Sequence, residues 1–351
     1  MPSPLTNAID KFPRVRLGHV PTPLDAAPRL GAALGIELWI KRDDCTGLAM
    51  GGNKVRQLEF PLGEAQYRDA DTLLITSAVQ SNYVRVAAAA GRRLGMETHI
   101  QLEERVPDVD ALYRSSGNVL LDRLFGATLH SFPVGEDEPA ADASLDLLAQ
   151  SLAEEGRRPY VIHLAPAHPP LGALGYVLAA EETLAQARSI DLEFDAVVCP
   201  TGSALTHAGL LVGFRALGKK VPVFGICVRR DTGSQVVRVS KVAEQLASMI
   251  DRPEVFDADD ITAFDGVLAP GYGRINDAVR EAIALAARQE GLLLDPVYTG
   301  KTMAGLIDHV RSGIIPAGSR VLFVHTGGLP AIFAYGDRLG SWLSDVPWGE
   351  G

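Results

Sequence analysis

The chain has 351 residues, 47% of them hydrophobic and 22% charged, and its formal net charge is −10. This composition is typical of a globular protein with one large or two medium domains, and the acidic balance argues against nucleic acid or an anionic membrane as a partner. The three cysteines are far apart, which fits a reducing compartment and indicates no Cys-rich metal site. No apolar run approaches the roughly 20 residues of a membrane span, and the N-terminus does not resemble a signal peptide. We therefore expect a cytoplasmic protein without a metal centre.

Short apolar runs alternate with longer amphipathic segments along almost the whole chain. Predicted strands are Glu37–Lys41, Thr72–Thr76, Thr98–Leu102, Tyr160–Leu164, Ala196–Cys199, Val221–Val228 and Arg320–His325. Predicted helices are Lys54–Tyr67, Asn82–Leu94, Gly117–Phe125, Asp142–Glu155, Gly172–Ala187, Thr206–Leu217, Gln235–Met249, Arg274–Gln289 and Lys301–Arg311. The alternation predicts an α/β fold with mostly parallel strands and helices on both faces. The acidic segment Gly135–Pro139 is predicted to be an exposed loop.

Ligands of parallel sheets bind beyond the carboxyl ends of the strands, so the loops there hold the candidate site. The first is Gly51-Gly52-Asn53-Lys54, directly before a predicted helix. Two glycines allow a sharp turn and a close approach to a flat ligand. A lysine kept partly neutral by its surroundings can form a Schiff base with an aldehyde. A solvated lysine at the start of a helix is the alternative interpretation of this motif alone.

Strand Thr72–Thr76 leads into Ser81-Asn82-Tyr83 and an alanine-rich helix. Serine and asparagine are favoured helix caps, which explains these residues without any ligand. The alternative is a hydroxyl and an amide that face ligand oxygen atoms beside the unpaired N–H groups of the helix.

Strand Ala196–Cys199 leads into small and hydroxylated residues and then into a helix, a pattern that predicts either a simple helix entry or a phosphate-binding loop. The candidate loop residues are Thr201, Gly202, Ser203, Ala204, Leu205 and Thr206.

Two tyrosines and a threonine lie in the remaining glycine- or proline-rich loops. Tyr298 and Tyr272 are either buried structural residues or groups that stack on a planar ring or transfer a proton. Thr326 follows the last predicted strand, either in a plain turn or as a hydroxyl that bonds a ring nitrogen. A lysine for an aldehyde, a phosphate loop, tyrosines for a ring and a hydroxyl for a ring nitrogen together predict pyridoxal 5'-phosphate as cofactor.

The chain resembles the pyridoxal-phosphate family of D-cysteine desulfhydrases and 1-aminocyclopropane-1-carboxylate deaminases over nearly its whole length. The segments that carry the resemblance are, in order, Pro21–Leu24, Lys41–Gly47, Gly51–Lys54, Gln80–Asn82, Gly172–Tyr176, Thr201–Ser203, Asp295–Tyr298 and His325–Gly328. The resemblance implies two domains, each a mostly parallel twisted sheet with helices on both faces, as in the tryptophan synthase β-subunit (fold type II). It implies a smaller domain at residues 55–170, inserted into a larger cofactor-binding domain formed by residues 1–54 and 171–351. It also implies a homodimer.

The resemblance gives each candidate residue a role. Lys54 matches the Schiff-base lysine and Asn82 the partner of the cofactor's ring hydroxyl. Ser81 matches a residue near the substrate carboxylate or, in the deaminases, a proton carrier. Tyr298 resembles a tyrosine near the ring and the substrate. The other matches are Gly202 through Thr206 with the phosphate loop, Thr201 with a cofactor-binding position before it, Tyr272 with a second active-site tyrosine, Thr326 with a contact to the ring nitrogen, and Tyr83 with a position in the substrate site.

Four positions depart from the family pattern. Tyr83 stands where desulfhydrases commonly have His, and Leu205 stands where the phosphate loop often has Gly. Because leucine does not readily adopt a positive φ, Leu205 predicts an altered loop shape. Thr299 stands where the deaminases usually have Glu, and Ala165–Pro170 replaces a Gly-Gly-Ser-Asn-Pro segment.

The resemblance implies a lyase that eliminates a Cβ substituent from a small amino acid and releases pyruvate and ammonia, with D-cysteine as the first candidate. L-cysteate and 1-aminocyclopropane-1-carboxylate remain alternative substrates, although Thr299 argues against the latter. A sulfonate would need a cation, for which Arg85, Arg114 and Lys301 are candidates. A catalytically silent protein that binds the cofactor or an amino acid is the alternative from a different class.

Overall fold

The structure, a computed structural model, describes residues 4–343. Its strands are β1 (Leu24–Ala26), β2 (Glu37–Lys41), β3 (Thr72–Ala78), β4 (Glu97–Glu103), β5 (Thr128–Phe132), β6 (Pro159–Ile162), β7 (Ala196–Thr201), β8 (Val223–Cys227), β9 (Thr262–Phe264) and β10 (Arg320–Val324). Its α-helices are α1 (Pro4–Ile9), α2 (Pro28–Leu34), α3 (Asn53–Tyr67), α4 (Asn82–Arg93), α5 (Ala111–Ser115), α6 (Gly117–Leu124), α7 (Glu138–Glu154), α8 (Leu174–Ser189), α9 (Leu205–Ala216), α10 (Thr232–Met249), α11 (Asp277–Glu290), α12 (Thr299–Arg311), α13 (Leu329–Ala334) and α14 (Gly336–Leu343).

The strands form two separate sheets. The larger has the order β1-β2-β10-β7-β8-β9, in which only the β1–β2 pair is antiparallel. The smaller has the order β5-β4-β3-β6 and is entirely parallel. Because parallel neighbours need crossover connections, helices cover the sheets.

Alternate residues of each central strand supply opposite cores. Val197 and Leu322 pack with Phe214 and other residues of α8 and α9 on one face of the larger sheet. Val198 and Phe323 pack on the other face with residues of α2, α11 and α12. The two-residue period of a strand thus buries both faces of the sheet.

The seven predicted strands and nine predicted helices are all present, with bounds that differ by up to four residues. The sequence did not predict β1, β5 and β9; β1 and β9 have three residues each, and β5 is only partly buried. The prediction that Gly135–Pro139 forms an exposed loop was wrong at its end. Asp137 caps α7 by accepting a hydrogen bond from Ala140 N (3.0 Å), and Glu138 is buried in the first turn.

Within residues 4–343, no helix is long and apolar enough to cross a membrane. The same part of the chain contains no group of three His, Cys, Asp or Glu side chains arranged to hold a metal ion. The predicted larger domain also includes residues 1–3 and 344–351, which lie outside the described residues.

Candidate active site

A narrow cavity lies where loops after β3, β7 and β10 approach the start of α3. Nine of the predicted site residues line it: Lys54, Ser81, Asn82, Tyr83, Gly202, Ser203, Tyr272, Tyr298 and Thr326. Residues predicted from distant parts of the sequence thus share one cavity, because the carboxyl ends of parallel strands open on the same edge of a sheet.

Lys54 is the second residue of α3 and is half-buried. It follows Gly51 (φ 67°) and Gly52 (φ 113°), and a Cβ added to Gly51 would lie 2.1 Å from the carbonyl oxygen of Asp44, so the turn requires glycine there. Lys54 Nζ donates a hydrogen bond to Gln57 Oε1 (2.8 Å). Burial lowers the pKa of Lys54 to about 7, so much of the amine is neutral at neutral pH.

Tyr83 is the aromatic neighbour of Lys54. The Lys54 Nζ atom lies 4.9 Å from the centre of the Tyr83 ring, a distance at which the ring attracts the protonated amine. Burial raises the pKa of Tyr83 well above its usual range, so its hydroxyl stays protonated.

Ser81 and Asn82 lie at the N-terminus of α4. Ser81 Oγ accepts a hydrogen bond from Tyr83 N (3.1 Å) and caps the helix, while the residue also lines the cavity. Asn82 Oδ1 accepts a hydrogen bond from Arg85 Nη1 (2.7 Å). Helix capping and a position in the cavity are therefore compatible for Ser81.

The loop between β7 and α9 brings only part of the predicted phosphate loop to the cavity. Gly202 and Ser203 line it, whereas the hydroxyl of Thr201 accepts a hydrogen bond from Gln235 Nε2 (2.8 Å). The hydroxyl of Thr206 accepts hydrogen bonds from Asn53 Nδ2 (3.0 Å) and Gln57 Nε2 (2.9 Å). Both threonine side chains are buried and bond to side chains of other helices, and neither threonine lines the cavity.

Leu205 was predicted to alter the shape of this loop, but the residue with a positive φ is its neighbour Ala204. Ala204, the cap of α9, has the left-handed conformation (φ 76°, ψ −18°), and Leu205 is the first residue of the helix. A leucine at a regular helical position needs no positive φ, so the unfavourable backbone conformation falls on an alanine.

Tyr272 and Tyr298 form a hydrogen-bonded pair in the cavity wall. Their hydroxyl oxygen atoms are 2.8 Å apart, and their rings meet at 76°. Burial raises the pKa of both hydroxyls above the usual range, so both are protonated at neutral pH. Asp295 holds the loop because its carboxylate accepts hydrogen bonds from the N–H groups of Val297, Tyr298 and Thr299 (2.9 Å each).

Thr299 and Thr326 differ in where their side chains lie. Thr299 Oγ1 donates to Asp295 Oδ1 (2.7 Å), so this side chain is used inside its own loop. Thr326 lines the cavity, and its backbone carbonyl accepts a hydrogen bond from Asn53 N (3.0 Å). That bond connects the loop after β10 to the start of α3, one residue from Lys54.

Sequence reasoning missed a cluster of charged residues at the cavity. Arg105, Glu138, Arg229 and Arg238 line it. Glu138 accepts hydrogen bonds at Oε1 from Arg229 Nη1 (2.5 Å) and Arg230 Nη2 (2.7 Å), and at Oε2 from Arg238 Nη1 (2.8 Å). The signal that could have found two of these arginines is their place directly after β8, at the carboxyl end of a strand.

The charges of this arginine cluster (Arg229, Arg230 and Arg238) determine the protonation of Glu138. Burial alone would raise the pKa of Glu138, but the three guanidinium groups outweigh it and hold the pKa at about 2. Burial, followed by repulsion from the other two arginines, lowers the pKa of Arg230 to about 10. The carboxylate is therefore ionised and necessary to the cluster at neutral pH.

The cations suggested by the sequence do not line the cavity. Arg85 is buried behind it, and Lys301 donates to the carbonyl oxygen atoms of Leu268 (2.8 Å) and Gly271 (2.6 Å). Arg114 pairs with Glu104 outside it. The sequence left open whether one of these three residues reaches a bound sulfonate; the arginines that line the cavity are Arg105, Arg229 and Arg238.

A larger cavity of about 940 Å³ adjoins the first one. Tyr83, Leu164, Ser203 and Arg238 line both cavities. Residues of the segment Ala165–Pro170, which departs from the family pattern, line the larger cavity only; His168 and Pro169 are among them. The segment therefore does not line the cavity that contains Lys54.

The donor set at the cavity fits pyridoxal phosphate, the cofactor that the resemblance implies. Lys54 offers an amine whose pKa is about 7. The first turn of α9 leaves N–H groups without partners in the helix, and such a terminus favours a phosphate. Arg230 Nη1 donates to Gly202 O (3.1 Å) and Arg238 Nε donates to Ser203 O (3.3 Å), which brings two positive charges next to this loop.

Comparisons with known proteins agree with this chemistry. The family model described as "Pyridoxal-phosphate dependent enzyme" matches residues 15–327. D-cysteine desulfhydrases of Salmonella choleraesuis (strain SC-B67) and Salmonella typhi are each 42% identical to the chain over 327 residues, which cover 93% of this chain and 97% of the relative. A crystal structure described as an ACC deaminase homologue superposes with a TM-score of 0.86 at 33% identity, covering 97% of this chain and 99% of the other.

These matches confirm the α/β fold of type II and pyridoxal 5'-phosphate as the cofactor. They also confirm the predicted resemblance to desulfhydrases and deaminases. The chain belongs to the family of pyridoxal-phosphate dependent enzymes.

Proposed function

We propose that this protein is a D-cysteine desulfhydrase, a carbon–sulfur lyase that releases sulfide, pyruvate and ammonia. The observation that carries the proposal is the 42% identity to D-cysteine desulfhydrases over 93% of the chain. The cavity supports it, because an amine with a pKa of about 7 shares the cavity with a pair of tyrosine hydroxyls.

Four parts of the cavity would hold the cofactor. Lys54 would bind it through a Schiff base, and Asn82 would bond its ring oxygen. The N–H groups of residues 202–206 would bind its phosphate, and the hydroxyl of Thr326 would bond its ring nitrogen without adding a charge. When bound, pyridoxal phosphate supplies the electron sink that makes the α-hydrogen of an amino acid removable.

Lys54 acts as the general base. With a pKa of about 7, roughly half of its amine is neutral at pH 7 and can accept the α-hydrogen of the substrate at Nζ. Tyr83 then faces the protonated amine across 4.9 Å and stabilises its positive charge.

Ser81 and the N-terminus of α4 orient the substrate. The free N–H groups of this 12-residue helix and the partial positive charge of its N-terminus favour a carboxylate. The hydroxyl of Ser81 and the amide of Asn82 lie at the same edge of the cavity and complete the substrate contacts together with Tyr83 and Tyr298.

Tyr298 and Tyr272 assist the departing sulfur. Both hydroxyls are protonated at neutral pH, so either can donate a proton to the sulfide as the Cβ–S bond breaks. At their 2.8 Å contact, the hydroxyl that keeps its proton can donate a hydrogen bond to the oxygen that has lost its proton.

Two features weigh against the alternative substrates. The residue after Tyr298 is Thr299, where the deaminases usually have a glutamate. The hydroxyl of Thr299 donates a hydrogen bond to Asp295 within its own loop. Arg229 and Arg238 line the cavity but are paired with carboxylates, which leaves them less available to the sulfonate of L-cysteate.

A substrate panel tests the function. Purified, cofactor-loaded protein is offered D-cysteine, L-cysteine, L-cysteate, β-chloro-D-alanine and 1-aminocyclopropane-1-carboxylate in parallel, and pyruvate, sulfide, sulfite and 2-oxobutanoate are measured. We expect equal amounts of sulfide and pyruvate from D-cysteine, with L-cysteine much slower. Faster turnover of L-cysteate or of the cyclopropane would contradict the proposal, and cofactor binding without any product would favour a silent binding protein.

We also propose that residues 1–54 and 171–351 form one domain and residues 55–170 an inserted one, in a cytoplasmic homodimer. The separation of the larger sheet from the smaller one supports the domain boundaries. The free cysteines Cys45, Cys199 and Cys227 fit a reducing compartment. Sedimentation equilibrium at a mass near 37.4 kDa instead of twice that value would contradict the dimer.

A further inference from the structure

One arginine behind the cavity wall connects the two groups expected to hold the cofactor ring. Arg85 is fully buried on α4, three residues after Asn82, a spacing that places both side chains on the same face of the helix. Its Nη1 atom donates to Asn82 Oδ1 and to Asn118 Oδ1 (2.7 Å each), and its Nη2 atom donates to Gly51 O (2.8 Å). The guanidinium thus connects α4, α6 and the turn that leads to Lys54.

These contacts determine which end of the Asn82 amide faces Arg85. A guanidinium has only donors, so an asparagine beside it must turn its oxygen toward it. Burial lowers the pKa of Arg85 to about 10, which still leaves it charged at neutral pH. With Oδ1 bonded to Arg85, the Nδ2 group of Asn82 is directed away from the arginine.

We infer that Arg85 is a positioning residue that presents the Nδ2 group of Asn82 to the cavity as a hydrogen-bond donor. Through Gly51, it also fixes this donor relative to Lys54. Asn82 lines the cavity and Arg85 does not, so the arginine acts through the asparagine. This inference rests on the role proposed above for Asn82 at the cofactor's ring oxygen.

The orientation matters because an amide can present either a donor or an acceptor. An anionic ring oxygen needs a donor, and the carbonyl end of the amide would repel it. A hydrogen bond to a charged group corresponds to about a tenfold or greater change in affinity. Arg85 therefore contributes to cofactor binding and to the protonation of the bound cofactor without touching it.

A double-mutant cycle on the dissociation constant of pyridoxal phosphate tests the inference. Apo-protein is titrated with the cofactor for the wild type, Asn82→Ala, Arg85→Gln and the double variant. We expect each single variant to weaken binding about tenfold, and Arg85→Gln to change it less than about threefold when Asn82 is already absent. We also expect the pH midpoint of the bound cofactor's visible absorbance to rise in both single variants, because each loses the donor that favours the deprotonated form.

Asn118→Ala is the matched control, since it removes an equal hydrogen bond from the same Nη1 atom at a residue that does not line the cavity. We expect its dissociation constant to stay within about twofold of the wild type. An equal effect of Arg85→Gln with and without Asn82 would overturn the inference and leave the role of Asn82 intact. No effect of Asn82→Ala would overturn both.

Asn82→Asp keeps the test decisive if Arg85→Gln does not fold. The new carboxylate retains an acceptor for Arg85, so the fold is expected to persist with an unfolding midpoint no lower than that of the wild type. It has no Nδ2 donor, so cofactor affinity is expected to fall at least about tenfold. Unchanged affinity in this variant would overturn the inference together with the role proposed for Asn82.

Discussion

Glu138→Gln removes the carboxylate that three arginines share at the cavity. The pKa of Glu138 is lowered from 4.5 to about 2, and each unit corresponds to about 1.4 kcal/mol, so the ionised carboxylate contributes up to about 3.5 kcal/mol to the free energy of unfolding. Removal of one partner from a buried ion pair has an effect of this size, because the other charges stay buried without compensation. Glu138 is the first residue of α7, which packs on β3 and β6 of the smaller sheet. Arg229 and Arg230 follow β8 of the larger sheet, and Arg238 lies on α10. The variant therefore also weakens the contact between α7 and these arginines.

The sign of the pH dependence follows from the lowered pKa. The contribution is fully present above pH 4.5 and is lost as the pH falls toward about 2. Thermal unfolding of the cofactor-loaded protein at a fixed excess of cofactor is the assay. With about 2.1 cal/mol/K per residue for 351 residues, a loss of about 3.5 kcal/mol lowers the midpoint by about 5 °C at pH 7.

Glu136→Gln is the matched control, because Glu136 is 59% exposed and, among residues 4–343, its one ion pair is with Arg229. We expect its midpoint to change by less than about 1 °C, as surface pairs contribute little. A Glu138→Gln effect no larger than that of the control, or one that stays constant from pH 7 to pH 3, would refute the reasoning.

Three further predictions concern the cavity. The rate at which apo-protein captures pyridoxal phosphate should rise about tenfold from pH 6 to pH 8 and then level off, because the pKa of Lys54 is about 7. A rise of about a hundredfold over the same range, continuing to about pH 10, would indicate an ordinary exposed amine. Of Tyr298→Phe and Tyr272→Phe, the variant that removes the proton donor should lower kcat for sulfide release from D-cysteine by roughly 10²-fold or more, and the other variant should change it little. Unchanged kcat in both variants would exclude this tyrosine pair as the proton donor. Ala204→Gly should raise the free energy of unfolding by about 1 kcal/mol, since φ is 76° there, and urea titration measures the change; destabilisation would contradict the assignment of strain to Ala204.

The sequence was sufficient for the parts of the site that each lie within one loop. Lys54, Ser81 and Thr326 stand in loops beside predicted strands or helices, and the parallel fold brings such loops together. Their position could be predicted because it depends on local pattern and on the general geometry of parallel sheets.

The rest depends on contacts between distant residues. The hydrogen bond between Glu138 and Arg238 joins residues that are 100 positions apart in the sequence. It connects α7 with α10, two helices that pack on different sheets. The hydroxyl of Thr206 is used by Gln57, 149 residues away, so a small hydroxylated residue in a phosphate loop did not imply a side chain in the cavity. The positive φ of Ala204 could not be predicted either, because alanine rarely adopts that conformation.

We propose that Lys54 carries the cofactor, although Lys41 and Lys301 are more fully buried. Burial also lowers the pKa of Lys41 and, to about 8, that of Lys301. Reduction of the cofactor-loaded protein with borohydride, followed by digestion and mass spectrometry, locates the lysine that carries the cofactor. We expect the label on Lys54 and its loss in Lys54→Ala; a label on Lys41 or Lys301 would contradict the assignment of Lys54.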